Sequence, residues 1–259
     1  MTRHLMAATV LTLAVATAAG AEVKTRVVDY KQGDTELQGL IAWDDAANGA
    51  RPGVLVVHEW WGHNEHARNA ARKLAAAGYV AFALDMYGKG KLATHPDDAM
   101  KFMTEATKDP AVVAARFEAA LAELKKDPHV DGTRIGAIGY CFGGGVVLNM
   151  ARGGAALKGV VTFHGSLAPV MTAKKGGVTA KILVQTGADD PMIPAAQVDA
   201  FKKEMLDAGA DVQVIVYPGA KHSFTNPDAD KAGMPQLAYN ADADAKSWAA
   251  MLDFFKKTL

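Results

Sequence analysis

The sequence predicts an α/β fold: a mostly parallel central sheet with helices on both faces and no large cap domain. Two observations predict it. Short, nearly continuous apolar runs recur at 53–58 (GVLVVH), 79–84 (YVAFAL), 134–139 (RIGAIG), 157–163 and 181–185 (KILVQ). Such runs mark strands buried on both faces of a parallel sheet. Segments with helical periodicity separate them, and repeated strand–helix–strand units build a sheet of this kind.

The elements follow in order. Residues 23–30 and 36–43 read as two strands joined by a turn at Gly33-Asp34. A polar loop fills 44–52. After the 53–58 strand, the alanine-rich stretch 67–77 is helical, with Leu74 inward, Arg68, Arg72 and Lys73 outward, and Gly78 as its stop. Residues 95–127 hold one or two helices, interrupted at Asp109-Pro110. A helix follows over 141–152, and another over 194–208 is opened by Pro194, which suits a first helical position. The strand 212–217 (VQVIVY) and an amphipathic helix over 241–259 close the chain. No repeat, low-complexity tract or linker interrupts this order, so residues 22–259 form one domain.

Residues 1–21 stand apart. Arg3 supplies a short positive start, an apolar stretch runs from Leu5 to Val15, and Ala19-Gly20-Ala21 is a small-residue cleavage pattern. These are the marks of a secretory signal peptide cut before Glu22. A permanent membrane helix would need about 20 apolar residues. The expected location is therefore the periplasm or the medium, with no stable membrane association after cleavage.

Composition excludes several function classes. Basic and acidic side chains number 28 each. Bulk electrostatic binding of nucleic acid, which needs a basic surface, is not expected. Cys141 is the sole cysteine, which excludes an intramolecular disulfide and a multi-cysteine zinc site. A thiol redox role would want a resolving cysteine, and there is none. His63 and His66 stand three apart, but no further metal ligand is near in sequence, so no metal site is expected.

Four motifs fall where predicted strands end, the place where open α/β sheets put their sites. Gly139-Tyr140-Cys141-Phe142-Gly143 joins a strand to a helix. That is the context of a nucleophile elbow, G-x-S-x-G, with cysteine in place of serine. The pattern lacks the Lys-Ser/Thr ending of a phosphate loop. The pair Asp189-Asp190 follows the KILVQ strand, and His222 follows VQVIVY. The order nucleophile, acid, histidine is that of the α/β-hydrolase fold. Finally, His58-Glu59-Trp60-Trp61-Gly62 follows GVLVVH. In that fold this loop supplies one N–H of an oxyanion hole, so the backbone N–H groups of Trp60 and Phe142 are the candidate donors. His164, at the end of the 157–163 strand, is a candidate neighbour of the site. The stretch 225–239, rich in Asp, Pro and Gly, is a candidate mobile rim.

HEWWG, LDMYGKG, GYCFGGG, GADDPMIP and YPGAKHSF together resemble the dienelactone hydrolase family, from Gly53 to the C-terminus. The resemblance implies Cys141 as nucleophile, His222 as general base and Asp190, rather than Asp189, as its orienting partner. It implies that Glu59 contacts the resting thiol and helps activate it. Trp61, Tyr87 and Lys89 would meet the substrate. The family's two substrate-binding arginines fall on Lys89 and Asn226; a lysine holds a carboxylate only as a point charge, and an asparagine carries none. The activity so implied is hydrolysis of small esters or lactones of the carboxymethylenebutenolide type, without a cofactor and as a monomer. The other reading is a non-catalytic binding or stress protein that keeps the fold.

Overall fold

The computed structural model describes residues 22–259; the expected signal peptide over 1–21 lies outside the described residues. One eight-stranded sheet runs through the molecule. Its strands are β1 (Val23–Gln32), β2 (Thr35–Asp44), β3 (Arg51–Val57), β4 (Val80–Leu84), β5 (Val130–Tyr140), β6 (Gly159–Phe163), β7 (Lys181–Gly187) and β8 (Val212–Tyr217). Their spatial order is β1-β2-β4-β3-β5-β6-β7-β8. The hairpin β1–β2 is antiparallel and joins β4 antiparallel, while the pairs from β4 through β8 are parallel. The apolar runs explain the centre: every residue of β4 and β6 is buried.

Six α-helices cover the sheet: α1 (Glu65–Ala76), α2 (Pro96–Thr107), α3 (Pro110–Lys126), α4 (Phe142–Arg152), α5 (Ala195–Ala208) and α6 (Ala241–Thr258). Side chains alternate along each strand, so the sheet has two cores. On one face Leu55, Val57, Phe82 and Ile135 pack with Phe117 and Leu124 of α3, Val147 of α4 and Phe201 of α5. On the other, Val54, Val56, Ile138 and Val161 pack with Leu74 of α1 and with Met251 and Phe255 of α6.

Most boundaries match the sequence reading within a few residues. The 95–127 region is two helices. Lys108 ends the first, and the Asp109 side chain accepts from the Ala111 N–H at 2.8 Å to start the second, with Pro110 in its first turn. The expected strand over 134–139 begins earlier, at Val130. Its first two residues pair with Arg51 and Pro52, and the register then shifts so that Gly53 meets Ile135. Asp131 folds the intervening residues into a tight turn by accepting from Thr133 and Arg134. The polar run Asp131-Gly132-Thr133 hid this strand start from an apolar-pattern reading.

Phe117 of α3 is fully buried beneath the sheet. Phe117→Ala should lower unfolding free energy by about 3–5 kcal/mol, read as a lower urea midpoint at unchanged slope.

Candidate active site

The site is built at the C-terminal edge of the parallel strands. β5 ends at Tyr140, and Cys141 follows with φ 51° and ψ −115° before α4 begins at Phe142. A non-glycine residue in this region is strained by about 1–3 kcal/mol and persists only when its surroundings hold it there. Here they do. The Cys141 N–H donates to the Phe163 carbonyl at 3.0 Å, and the Cys141 carbonyl accepts from the Gly144 N–H at 3.0 Å. The flanking glycines are steric necessities. A Cβ on Gly139 would lie 2.1 Å from the Gly143 carbonyl oxygen, and one on Gly143 would lie 2.4 Å from that of Val57. The bare backbone lets the elbow press against the end of β3, where the oxyanion loop starts.

β7 and β8 bring the other two groups. His222 Nδ1 and Asp190 Oδ2 are 2.8 Å apart, both buried. Asp190 is itself fixed, since its Oδ1 accepts from the Met192 N–H at 2.8 Å. Asp189 is exposed and turns away, its N–H donating to the Ala220 carbonyl at 3.0 Å. Asp190, and not Asp189, therefore faces His222. Gly187 permits the close approach of the two loops, because a Cβ there would stand 2.1 Å from the Ala220 oxygen. Burial opposes a charge on His222, but the facing Cys141 and the Asp190 carboxylate outweigh it and push its pKa up to about 10.

The candidate oxyanion donors are free. The Trp60 N–H has no acceptor among the described residues, and Phe142 is the first residue of α4, so its N–H has no intrahelical carbonyl. The loop between β3 and α1 is held from below by His58. The Met86 N–H donates to His58 Nε2 at 3.1 Å, so Nδ1 carries the proton and donates to the Glu59 carbonyl. Burial lowers the His58 pKa and keeps this tautomer neutral.

Glu59 is buried, and its carboxylate is engaged away from the thiol. Oε1 accepts from the Ser223 hydroxyl at 2.7 Å and Oε2 from the Asn226 amide at 2.6 Å; His66 Nδ1 lies 3.7 Å from Oε2. The resemblance implied a contact with resting Cys141, and no hydrogen bond joins the two. Glu59 instead ties the oxyanion loop to the histidine loop. Asn226, where the resemblance expects a substrate-binding arginine, serves this internal tie. Ser223, at φ 56°, is strained to face Glu59.

The structure places the three expected substrate contacts as follows. Lys89 is exposed and paired with Asp29 of β1 at 2.8 Å, drawn to the sheet edge rather than to the site. Tyr87 is buried behind the oxyanion loop. Asp85 accepts from its N–H at 2.8 Å, its hydroxyl donates to the Trp60 carbonyl at 3.1 Å, and its ring packs on His58 and Phe142. Trp61 packs edge-on against Trp60. None of the three lines the cleft that opens on Cys141 and His222. That cleft, of about 400 Å³, is walled by α2, α3, α4 and the loops after β6 and β7.

Sequence reasoning passed over Ser223 and Thr225. Their signal was the polar run Ser-Phe-Thr-Asn beside the histidine, which gives no direction to side chains. His164 does adjoin the site, its ring edge-to-face with His222 at 5.2 Å and its Nε2 bonded to the Thr225 hydroxyl at 2.8 Å. Burial and the neighbouring His222 hold its pKa well below the ordinary value. His63 and His66 do not converge. Burial holds His63 down at about 3, while His66 bonds the Thr225 carbonyl. The 225–239 stretch is hydrogen-bonded rather than loose: Ala238 N–H donates to the His222 carbonyl, and a short 3-10 helix spans Ala229–Ala232.

The fold and the elbow define a carboxylic ester hydrolase of the α/β-hydrolase class. The model of the dienelactone hydrolase family matches residues 37–259, and the chain belongs to that family. It is 30% identical over 241 residues to Protein usf of Aquifex pyrophilus, covering 90% of this chain and 99% of that one. A provisionally named carboxymethylenebutenolidase of Aquifex aeolicus is 30% identical over 239 residues, again covering 90% and 99%. Among solved structures, the dienelactone hydrolase-like promiscuous phosphotriesterase P91 from metagenomic libraries is 40% identical, covers 92% of this chain and 99% of its own, and superposes with a TM-score of 0.88.

Two predictions follow from this geometry. The His222 pKa is raised above its ordinary 6.5, so its charge stabilises the fold fully below that value, and this contribution is lost as pH climbs through about 10. Asp190→Asn removes one supporting charge, and proton NMR should show His222 losing its proton at lower pH than in the parent; an unchanged titration would contradict the pairing. Separately, Asn226→Ala leaves a buried carboxylate oxygen short of a donor and should destabilise the protein by about 1–3 kcal/mol in urea unfolding.

Proposed function

We propose that the protein hydrolyses small esters or lactones through an acyl-cysteine intermediate, with Cys141, His222 and Asp190 as its triad. The observation that carries this reading is the strained Cys141 beside the His222–Asp190 pair, with two unpaired backbone N–H groups at the same strand ends. The Cys141 thiolate attacks the carbonyl carbon, and the carbonyl π electrons move to oxygen. The Trp60 and Phe142 N–H groups hold that oxyanion, an effect typically worth about 3–4 kcal/mol per donor. As the C–O bond breaks, His222 Nε2 gives its proton to the leaving alkoxide or enolate. His222 then takes a proton from water, the hydroxide attacks the thioester, and the Cys141 thiolate leaves. Enol leaving groups depart readily and suit this site. No step requires a cofactor.

Two further points belong to this reading. Cleavage before Glu22 places the mature enzyme in the periplasm or the medium, where it acts as a monomer. Neutral phosphotriesters form a second substrate class, favoured by the 40% identity to P91 and by the absence of a charged side chain from the cleft wall beyond the triad.

The test is p-nitrophenyl acetate, followed in the first seconds for the parent and for Cys141→Ala. Nitrophenolate release that vanishes in the variant is expected. Equal background release from both, repeated with true lactones, would favour the binding-protein reading.

A further inference from the structure

The cleft that opens on Cys141 has a chemistry unlike the anionic lactones the family name suggests. Its wall includes Met103, Met150, Met171, Met192, Val113 and Ile193. Methionine side chains are flexible and polarisable, and surfaces rich in them adapt to varied apolar ligands. Of Thr107, Asn149 and Ser166, the polar side chains in the wall beyond Cys141 and His222, the first two are spent. Asn149 donates to the Gly145 carbonyl and accepts from the Val170 N–H, and the Thr107 hydroxyl donates to the Met103 carbonyl. No lysine or arginine among the described residues lines the cleft. The nearby Arg152 is buried against Glu204 at 2.8 Å and gives a further bond to the Leu167 carbonyl. Lys89 is paired with Asp29, and Asn226 is bound to Glu59. The apolar wall also reaches solvent: Val170, Met171 and Met192 are 63%, 42% and 45% exposed at the mouth. An exposed apolar rim leading into an apolar cleft marks a ligand path.

We propose that the substrate is an uncharged ester whose apolar, extended group lies in this methionine-lined cleft, and that esters carrying a carboxylate there are rejected. A carboxylate seated along the methionine wall, away from the His222 ring, would lose its water and meet at most the Ser166 hydroxyl as a donor. The turnover part of this inference rests on the ester hydrolase reading; the shape and charge preference of the cleft does not.

The test therefore has two arms. Cys141 is the sole cysteine, so maleimides label one thiol. N-hexylmaleimide and 6-maleimidohexanoate share a reactive ring and a similar chain but differ in charge. Each rate with the protein is divided by the rate with free 2-mercaptoethanol. The neutral reagent should modify Cys141 at least about tenfold faster on this scale, the ratio expected for one poorly solvated carboxylate. Equal rates, or preference for the anion, would overturn the inference. Met192→Lys should shrink the ratio by placing a cation at the mouth, and an unchanged ratio would place the hexyl chain elsewhere and overturn it.

The second arm compares p-nitrophenyl acetate, butyrate and octanoate with the p-nitrophenyl monoester of adipic acid. Cys141-dependent kcat/KM should rise by up to about fourfold per added methylene until the cleft fills, and the adipate monoester should fall below the neutral esters. Turnover that depends on Cys141 but favours the anionic ester refutes the cleft assignment and leaves the hydrolase reading standing. A strong maleimide preference with no ester turnover refutes the hydrolase reading and leaves the cleft assignment standing.

Discussion

The site depends on one close approach of backbone to backbone. The turn from β5 into α4 lies against the end of β3 so tightly that a Cβ at Gly143 would sit 2.4 Å from a carbonyl oxygen. Two consequences follow from this contact. It holds Cys141 at φ 51°, where the residue lines the cleft, and it sets the start of α4 against the end of β3, from which the loop carrying the Trp60 N–H departs. The Cys141 thiol and the two backbone N–H groups are therefore placed by the same constraint. The strain at Cys141, of about 1–3 kcal/mol, is small against the packing of the two cores that enforce it.

The histidine loop is held by electrostatics and hydrogen bonds. Asp190 fixes one edge of His222, His164 packs against its ring, and the Glu59 carboxylate binds the two residues Ser223 and Asn226 that follow it. Glu59 begins the loop between β3 and α1, so a single buried carboxylate couples the loop that carries His222 to the loop that carries the Trp60 N–H. A movement of either loop would leave that carboxylate short of a partner in a low-dielectric interior, which is costly. The Asn226 amide completes this internal network.

Much of this was legible in the sequence. The parallel strands announced themselves as apolar runs, and the elbow, the acid and the histidine each followed a strand end. Backbone constraints of this kind leave glycine and order signals. Asp190 could be separated from Asp189 only by resemblance, because adjacent residues share a loop and differ in side-chain direction. The surroundings of Lys89 and Tyr87 are hidden from the sequence for a related reason. Lys89 and Tyr87 stand close in sequence to the site motifs, yet an ion pair with Asp29 pulls one to the sheet edge, and the bonds of Asp85 tuck the other beneath the oxyanion loop. The cleft wall was invisible because Met103, Met150, Met171 and Met192 come from four separated segments that only tertiary packing unites.

The claim that Cys141 carries the acyl group is tested most directly by peptide mass spectrometry. Protein turning over p-nitrophenyl acetate is quenched in acid within the first seconds and digested. The account predicts one added acetyl group, located on the peptide that contains Cys141 and lost as turnover completes. Sustained turnover with no adduct on that peptide, or with the acetyl group on another residue, would contradict it.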